Sequence, residues 1–403
     1  MGVYEAIFLG TFASLRHPYF RLFFLGQALC LVGIWMQTTA QRWLILELTD
    51  SATILGLLGA VGSLPIFFFS FLAGWLADRL PKRRLLLLAK ILGGLQAFLL
   101  GLITQLGWVT AWHILVLAGF LGLVNALELP VRQAYLYDLV EPEDITNAVA
   151  LHSTAFNLAR FLGPAAAGML MVRWGAWPCF YFNALGFLAV VFALLFIPLE
   201  GRVERDSRGL LRDLREGLGF VLAHRVVRSV LLLVAAFSIC LLPYAVLLPV
   251  FGRDILGVGA RGYGFLMAAN GAGAFTGAIF LASVSTLIDR RRWILRSAFS
   301  LLVFLFLFAW SRNFYLSAAL LYLSGLSMVF TFNSAISLLQ TYSPSELRGR
   351  VMGLFSMSFL GLFPLGSLLF GWLAERLSPP QALSAGVFLA ALVCLYPIRL
   401  LRG

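Results

Sequence analysis

Charged residues are scarce in this chain. Asp, Glu, Lys and Arg together make up 12% of its 403 residues, hydrophobic residues make up 61%, and the mean hydropathy is +0.92. Soluble globular domains carry about a quarter of charged residues. A water-soluble globule is therefore excluded, and the composition predicts a fold whose surroundings are lipid.

Cysteine and histidine are also rare, with four residues of each type. The cysteines lie in or beside apolar segments without the paired spacing of a metal or redox site, and the histidines are scattered along the chain. No pair of carboxylates, and no nucleophile with a base, lies away from the apolar segments. The sequence thus predicts no enzyme, no cofactor and no metal site. These rare residues are Cys30, Cys179, Cys240 and Cys394, and His17, His113, His152 and His224.

Long apolar runs dominate the chain instead. Twelve of them can cross a hydrocarbon core about 30 Å thick as α-helices. Helices are favoured because a segment in lipid must satisfy its own backbone hydrogen bonds. The sequence therefore predicts an all-α integral membrane protein. The predicted spans cover residues 20–43, 53–77, 85–105, 111–135, 149–174, 180–197, 226–251, 263–287, 293–310, 314–339, 351–374 and 382–398.

Positive charge concentrates on one side of the predicted membrane. When the ends and alternate loops are compared, 22 of the 30 Lys and Arg residues, with Lys90 among them, fall on one side and five on the other. Lys and Arg favour cytoplasmic loops, so both termini are predicted to be cytoplasmic. The net charge of +12 then reflects topology, and we predict no nucleic-acid partner.

Two stretches outside the spans keep a helical periodicity. Residues 1–18 predict an amphipathic helix on the inner membrane surface, because apolar residues recur at helical spacing ahead of Arg16. Near the midpoint, charged residues interrupt the hydrophobicity over 199–225, where Leu210, Leu214 and Leu218 still form a stripe. This pattern predicts a cytoplasmic linker with a short helix between two six-span bundles, 19–198 and 226–403.

The two halves also share a short pattern. Glu141-Pro142-Glu143-Asp144 precedes the predicted span at 149–174, and Ser343-Pro344-Ser345-Glu346 occurs half a chain length later, before the span at 351–374. In each, a proline and acidic residues stand at a helix start, where a carboxylate near free N–H groups is favourable. Internal duplication of this kind is typical of two-bundle transporters.

Several motifs resemble those of a known family. With the twelve spans and the central basic loop, they resemble the major facilitator superfamily over essentially the whole chain. Within it they are similar to the enterobactin-exporter-like subgroup, also called transmembrane secretion effectors. The resemblance implies two pseudo-symmetric six-helix bundles in the inner membrane, and efflux of siderophores or drugs driven by proton exchange. The motifs are Gly74-Trp75-Leu76-Ala77-Asp78-Arg79-Leu80-Pro81-Lys82-Arg83-Arg84, Leu129-Pro130-Val131-Arg132-Gln133-Ala134, Asn157-Leu158-Ala159-Arg160 with Gly163-Pro164, and Leu347-Arg348-Gly349-Arg350-Val351-Met352.

The resemblance also implies a role for the loop after the second span. In the family, the acid at Asp78 and the basic residues after it latch the two bundles together on the cytoplasmic side. Asp138, at the inner end of the fourth span, can meet Arg79 or Arg83. The alternative is that the basic run only marks the inner face and binds anionic lipid. The predicted cytoplasmic gate consists of Gly74, Asp78, Arg79, Lys82, Arg83 and Asp138.

Elimination indicates one acid as the candidate for proton coupling. Of 18 acids only Glu128 lies deep inside a predicted span, and a charge held in the bilayer is costly and usually functional. Arg132 can pair with it one helical turn away, and Arg160 is a second counter-ion or a contact for an anionic substrate. His152 is a weaker titrating candidate. The alternative is a permanent Glu128–Arg132–Arg160 network that holds the first bundle together and never titrates.

The family architecture places spans 1, 4, 7 and 10 around a central cavity. Neutral polar side chains there, some predicted to share one face of span 1, indicate an apolar wall with scattered amides. Such a wall suits amphipathic organic molecules better than sugars or nucleotides. The candidate cavity residues are Gln27, Gln37, Thr38, Gln41, Asn125, Asn157, Tyr244, Asn270, Asn333 and Ser337.

Together these patterns predict a monomeric, proton-coupled exporter that moves drug-like or siderophore-like amphiphiles by alternating access. Its predicted partners are the substrate, protons and membrane lipids. Two other classes stay open at this point. One is a lysophospholipid or lipid transporter of the same fold, and the other is a non-transporting membrane sensor or assembly protein.

Overall fold

The structure is a computed structural model that describes residues 12–77, 79–199, 210–284 and 289–402. Within these ranges the regular elements are all helices, without a strand. Helices are the expected result for so apolar a chain, since each one satisfies its own N–H and C=O groups away from water. The predicted all-α class is confirmed.

Six long helices form the first half of the described chain. They follow one another through short turns, and 3-10 turns at Ala13–Arg16 and Pro142–Asp144 precede the first and the fifth helix. Span 1 is Pro18–Thr49, span 2 Ala52–Ala77, span 3 Lys82–Gln105, span 4 Ala111–Asp138, span 5 Ile145–Trp174 and span 6 Trp177–Phe196.

The second half repeats this arrangement after a linker helix, Leu210–Ala223. Eleven helices of the described chain are long and apolar enough to cross a membrane, and the last helix contains the shorter apolar segment Pro379–Leu395. This agrees with the twelve predicted spans. Span 7 comprises Arg225–Cys240, Tyr244–Val250 and the π-helical turn Phe251–Ile255; span 8 is Gly259–Val284, span 9 Arg290–Trp310 and span 10 Phe314–Tyr342; span 11 comprises Ser345–Ser356, the π-helical turn Met357–Gly361 and Phe363–Arg376; span 12 is Pro379–Arg402.

Two spans of the second half are interrupted. The sequence predicts span 7 as one helix, but its α-helix ends at Cys240 and resumes after Pro243, because proline lacks an N–H and clashes with the preceding turn. Span 11 contains its π-helical turn just before Pro364. Such turns inside helices often mark functional positions. Both interruptions lie in helices that face the first bundle.

The helices pack as two bundles of six. In the first, span 1 lies against spans 5 and 6, and span 2 against span 4; in the second, span 10 lies against spans 8 and 9, and span 7 against span 12. Two helix pairs make the most extensive contacts between the bundles, span 5 with span 8 and span 2 with span 11, and span 7 also touches spans 1 and 2. The exact bundle boundaries stay a prediction, and the predicted surface helix at 1–18 falls largely outside the described residues.

Glycine permits the closest approach between the bundles. A Cβ built on Gly271 of span 8 would lie 2.3 Å from the backbone oxygen of Arg160 in span 5, and one built on Gly264 would lie 2.7 Å from the Cα of Gly168. Backbones this close leave no room for a side chain, which is why small residues line such membrane helix contacts.

The two ends of the molecule differ. The basic end, defined by Lys82, Arg83 and Arg291, carries the ends of spans that the sequence predicts to be cytoplasmic. At the opposite end, defined by Asp50, Arg253 and Glu375, polar contacts join the bundles. Arg253 of span 7 forms an ion pair with Asp50 after span 1, and the Ser51 hydroxyl donates to Glu375 of span 11 over 2.6 Å. The bundles therefore meet at the opposite end.

Candidate functional site

Glu128 lies among buried charged groups in the first bundle. Its side chain is 5% exposed, and it lies about 15 Å along the helix axis from Asp138 at the end of span 4, at about 1.5 Å per residue. Lys90 Nζ of span 3 donates to Glu128 Oε1 over 2.9 Å. Arg132 Nε is 2.9 Å from the same oxygen, but without a well-directed N–H bond. Glu128, Lys90 and Arg132, with His152, are called the Glu128 cluster below.

The position of Lys90 differs from the sequence prediction, which groups this residue with the cytoplasmic basic residues. It is fully buried, about 12 Å beyond Lys82 along span 3. Besides Glu128, its ammonium group lies 3.8 Å from Cys30 Sγ and 5.3 Å from the centre of the Phe187 ring. A lysine buried this deeply needs a counter-ion. Its depth inside an apolar span is the signal that could have identified it.

Arg132 extends the Glu128 cluster to span 5. Its Nη1 donates to His152 Nε2. Because arginine remains protonated, this ring nitrogen must accept, which leaves the imidazole neutral with its proton on Nδ1. The cluster then holds two positive charges and one negative charge.

Arg160 does not join this cluster, although the sequence leaves that pairing open. Among the described residues, the ion pairs of Glu128 are those with Lys90 and Arg132. Eight residues separate His152 from Arg160, and on a helix with 3.6 residues per turn this is a rotation of about 80°. Span 5 thus directs His152 into the first bundle and Arg160 towards the second.

The partners of Arg160 lie mainly in the second bundle. Its Nη2 donates to Asn270 Oδ1 of span 8 over 2.6 Å and lies 3.9 Å from Met328 Sδ of span 10. The hydroxyl of Tyr244, on span 7, lies beside the guanidinium group, and the ring centre of Trp35 of span 1 is 5.8 Å away. Arg160 therefore lies at a contact of five spans from both bundles.

A cavity of about 180 Å³ lies between spans 1, 2 and 4, with Phe363 of span 11 in its wall. Three predicted cavity residues, Thr38, Gln41 and Asn125, line it together with Arg42. Cavities for drug-sized ligands range from about 300 to about 1,000 Å³. In this conformation the space therefore suits part of such a ligand.

Gln37 and Gln27 were predicted to line the cavity, but the structure buries both side chains. Gln37 donates to Gln96 Oε1 over 3.1 Å and accepts from Asn183 Nδ2 over 2.8 Å, both inside the first bundle. Gln27 is also buried, at 1% exposure. Gln37 cannot share the face of its neighbour Thr38, because adjacent residues on a helix point about 100° apart.

The other predicted cavity residues occupy different surroundings. Tyr244 and Asn270 are buried at the contact between the bundles. Asn157 is half-buried and donates to a carbonyl of its own helix over 2.9 Å. In span 10, Asn333 is exposed and Ser337 is half-buried. A role for these four spans in binding substrate stays a prediction.

The predicted cytoplasmic gate is described in part. Gly74 lies in the last turns of span 2, Asp78 lies outside the described residues, and Arg79 is exposed. Lys82 Nζ is 2.9 Å from Asp138 Oδ2, and Arg83 Nε donates to a carbonyl of span 6 over 2.8 Å. These contacts lie within the first bundle, and a latch between the bundles stays a prediction.

No metal-binding group was found within the described ranges. No cluster of three or more His, Cys, Asp or Glu side chains there could hold a metal ion. The four cysteines are free thiols, all buried.

Comparison with known proteins gives a consistent result. The transmembrane secretion effector family matches residues 9–402. The chain is 26% identical to the staphyloferrin A transporter of Staphylococcus aureus, with 88% of this chain and 89% of that protein covered. It is 25% identical to the multidrug efflux pump Tap of Mycolicibacterium fortuitum, with 83% of each covered. It is also 25% identical to the enterobactin exporter of Escherichia coli, over 92% of this chain and 89% of the exporter.

A solved structure shows the same fold. It is a bacterial homologue of the human lysosomal transporter Spinster, in an inward-facing and unoccupied conformation. The TM-score is 0.76 at 14% sequence identity, and the match covers 96% of this chain and 97% of the other. Because the family match spans nearly the whole chain, the chain belongs to the transmembrane secretion effectors, a family of multi-span membrane transporters within the major facilitator superfamily.

Proposed function

We propose that this transporter exports amphipathic small molecules in exchange for protons, by alternating access. The observation that carries the proposal is the position of Glu128, an acid buried at membrane depth and paired with Lys90 and Arg132. An ionisable group inside the membrane is a candidate for proton transfer. No other acid of the described chain lies this deep within a span.

The pairing suggests how the proton and the conformation are linked. With the bundles in contact at the opposite end, Glu128 is ionised and bound by Lys90 and Arg132. A proton on the carboxylate would remove its negative charge and weaken both contacts. Proton uptake would therefore accompany a rearrangement of spans 3 and 4, and proton release would restore the arrangement described here.

The contacts at the opposite end support reversible closure. The side chains of Asp50 and Arg253 are 82% and 29% exposed, and exposed ion pairs contribute only about 0–1 kcal/mol. Contacts this weak can break and form again during each transport cycle. The π-helical turn in span 11 lies in one of the two helix pairs that would have to move apart.

Names of relatives and the lining of the cavity support the substrate class. Relatives of this chain transport staphyloferrin A or act in multidrug efflux, and the described cavity combines amide and hydroxyl groups with Phe363. We propose an amphipathic organic substrate, a monomeric protein in the bacterial inner membrane, and both termini in the cytoplasm.

The test is efflux from proteoliposomes driven by a pH gradient. Wild type, Glu128→Gln and the control Glu143→Gln would be compared at equal insertion, with ethidium and dansyl-leucine as fluorescent substrates. Glu143 is a suitable control because it is an exposed acid outside span 5. Wild type and the control should respond to the gradient, whereas Glu128→Gln should lose that response.

Other outcomes identify the competing functions. If wild type moves neither dye but translocates a labelled lysophospholipid without a gradient, the chain is a lipid transporter. In that case the Glu128 cluster would be a structural network. If the gradient response survives in Glu128→Gln, proton coupling must reside elsewhere.

A further inference from the structure

Two arginines of the first bundle converge on one point of the second bundle. Arg160 lies about halfway along span 5, beside the Tyr244 hydroxyl. Arg42 of span 1 donates from Nη1 to the backbone oxygen of Ala245 over 3.2 Å. Tyr244 and Ala245 are consecutive residues at the point where span 7 resumes after its interruption. Both guanidinium groups act electrostatically on the Tyr244 phenol.

Neither arginine has an acidic partner among the ion pairs of the described residues. The neighbours of Arg160 are an amide, a thioether, a phenol and an indole ring, and Arg42 is bound by a backbone oxygen. Glu128 is already shared by Lys90 and Arg132. Positive charge in the membrane interior is costly without a counter-ion. The contact between the bundles therefore carries two positive charges that a ligand could neutralise.

The cavity beside Arg42 has space for a small polar group. Arg42 lines the 180 Å³ cavity together with Thr38 and Gln41, whose side chains can donate hydrogen bonds. This volume lies below the range of about 300 to about 1,000 Å³ that is typical of sites for drug-sized ligands. It suits a carboxylate or a comparable anionic head group better than a whole drug-sized molecule. Phe363 provides apolar surface in the wall of this cavity, and the Trp35 ring provides apolar surface beside Arg160.

We propose that Arg42 and Arg160 bind the anionic head group of the substrate, so that the transported class is amphipathic organic anions. This inference rests on the transport function proposed above. The two residues belong to spans 1 and 5, and their contacts in the second bundle lie on spans 7, 8 and 10. An anion bound there would touch both bundles, and its departure would follow when the bundles separate at the opposite end.

Equilibrium binding to the whole transporter tests this assignment without any gradient. Protein in nanodiscs would be dialysed against dansyl-leucine, its neutral amide dansyl-leucinamide, and the cation dansylcadaverine, with empty nanodiscs as the reference. Dansyl-leucine should bind about tenfold more tightly than its amide, since a hydrogen bond to a charged group contributes about that factor.

Variants of Arg160 separate ligand binding from a structural role. Arg160→Gln should weaken dansyl-leucine binding to the level of the amide and leave the other two probes unchanged, and Arg160→Lys should keep part of the preference. Arg173→Gln is the matched control, because Arg173 is an exposed arginine of the same span. If Arg160→Gln weakened all three probes equally, Arg160 would only hold the bundles together.

The remaining outcomes are equally decisive. Equal binding of dansyl-leucine and its amide to wild type would overturn the assignment, as would binding of none of the three probes. A preference for the anion that disappears in Arg160→Gln would support it even if transport proved independent of the pH gradient. In that case the proposed proton coupling would fail while the anion site remained.

Discussion

The charge balance of the Glu128 cluster predicts an unusual order of stabilities. Glu128→Gln leaves Lys90 and Arg132 as two buried cations without a counter-ion. Lys90→Met leaves the Glu128–Arg132 pair with no net charge. The double variant, Glu128→Gln with Lys90→Met, leaves Arg132 as one cation without a counter-ion. We therefore expect Glu128→Gln to be the least stable, the double variant intermediate, and Lys90→Met the closest to wild type.

The magnitudes follow from the burial of these groups. The side chains of Lys90 and Glu128 are 0% and 5% exposed, and removing one partner of a buried ion pair lowers the free energy of unfolding by about 3–5 kcal/mol. For Lys90→Met the loss is smaller, because Arg132 still neutralises Glu128, and it amounts to one hydrogen bond between charged groups, about 1.5–3 kcal/mol. The losses of unfolding free energy in the two single variants should therefore not sum to the loss in the double variant. The difference, which is the coupling energy, should be about 1–3 kcal/mol.

The measurement is equilibrium unfolding in mixed micelles, followed by far-ultraviolet circular dichroism. Arg292→Met is the control, because Arg292 and Asp289 form an ion pair of 3.0 Å whose side chains are 76% and 52% exposed. Its removal should change the free energy of unfolding by less than about 1 kcal/mol. A Glu128→Gln variant as stable as wild type, or additive energies in the double variant, would refute the reasoning.

Two further predictions concern the contact between the bundles. Arg253→Gln removes the ion pair with Asp50 and should lower the stability of the closed opposite end by about 1 kcal/mol. The population of molecules open at that end should then rise about fivefold. The measurement is the rate at which an impermeant maleimide, added on the side of Asp50, labels a cysteine introduced by Ser63→Cys. The native cysteines are buried and should not react. An unchanged labelling rate in Arg253→Gln would contradict the prediction. Gly271→Ala would place a Cβ 2.3 Å from the Arg160 oxygen and should lower the free energy of unfolding by about 1–3 kcal/mol. Gly349→Ala, where a Cβ would meet nothing within 4 Å, should cause no loss, and equal stability of the two variants would show that spans 5 and 8 do not need this close approach.

Part of the candidate site could be predicted from sequence because it depends on one helix at a time. The depth of Glu128 follows from its place in an apolar run, and its pairing with Arg132 follows from a separation of one turn. Thr38, Gln41 and Asn125 line one cavity, and their role in binding substrate stays a prediction. The same depth argument applied to bases would have identified Lys90.

Other residues could not be assigned because their partners lie on different helices. Gln37 and Thr38 are adjacent in sequence, yet one lies inside the first bundle and the other faces the cavity. Arg160 and His152 lie on one span and belong to different clusters. These assignments depend on the rotation of each helix, which no pattern within that helix determines.

The sequence by itself determined the membrane environment, the twelve spans and their order, since hydropathy and span length are local properties of the chain. Tertiary structure alone decided that Lys90 pairs with Glu128, that Arg42 and Arg160 meet at the interruption of span 7, and that the bundles touch at the opposite end. Those outcomes depend on how closely helices approach, as at Gly271, and therefore on packing between segments far apart in the chain.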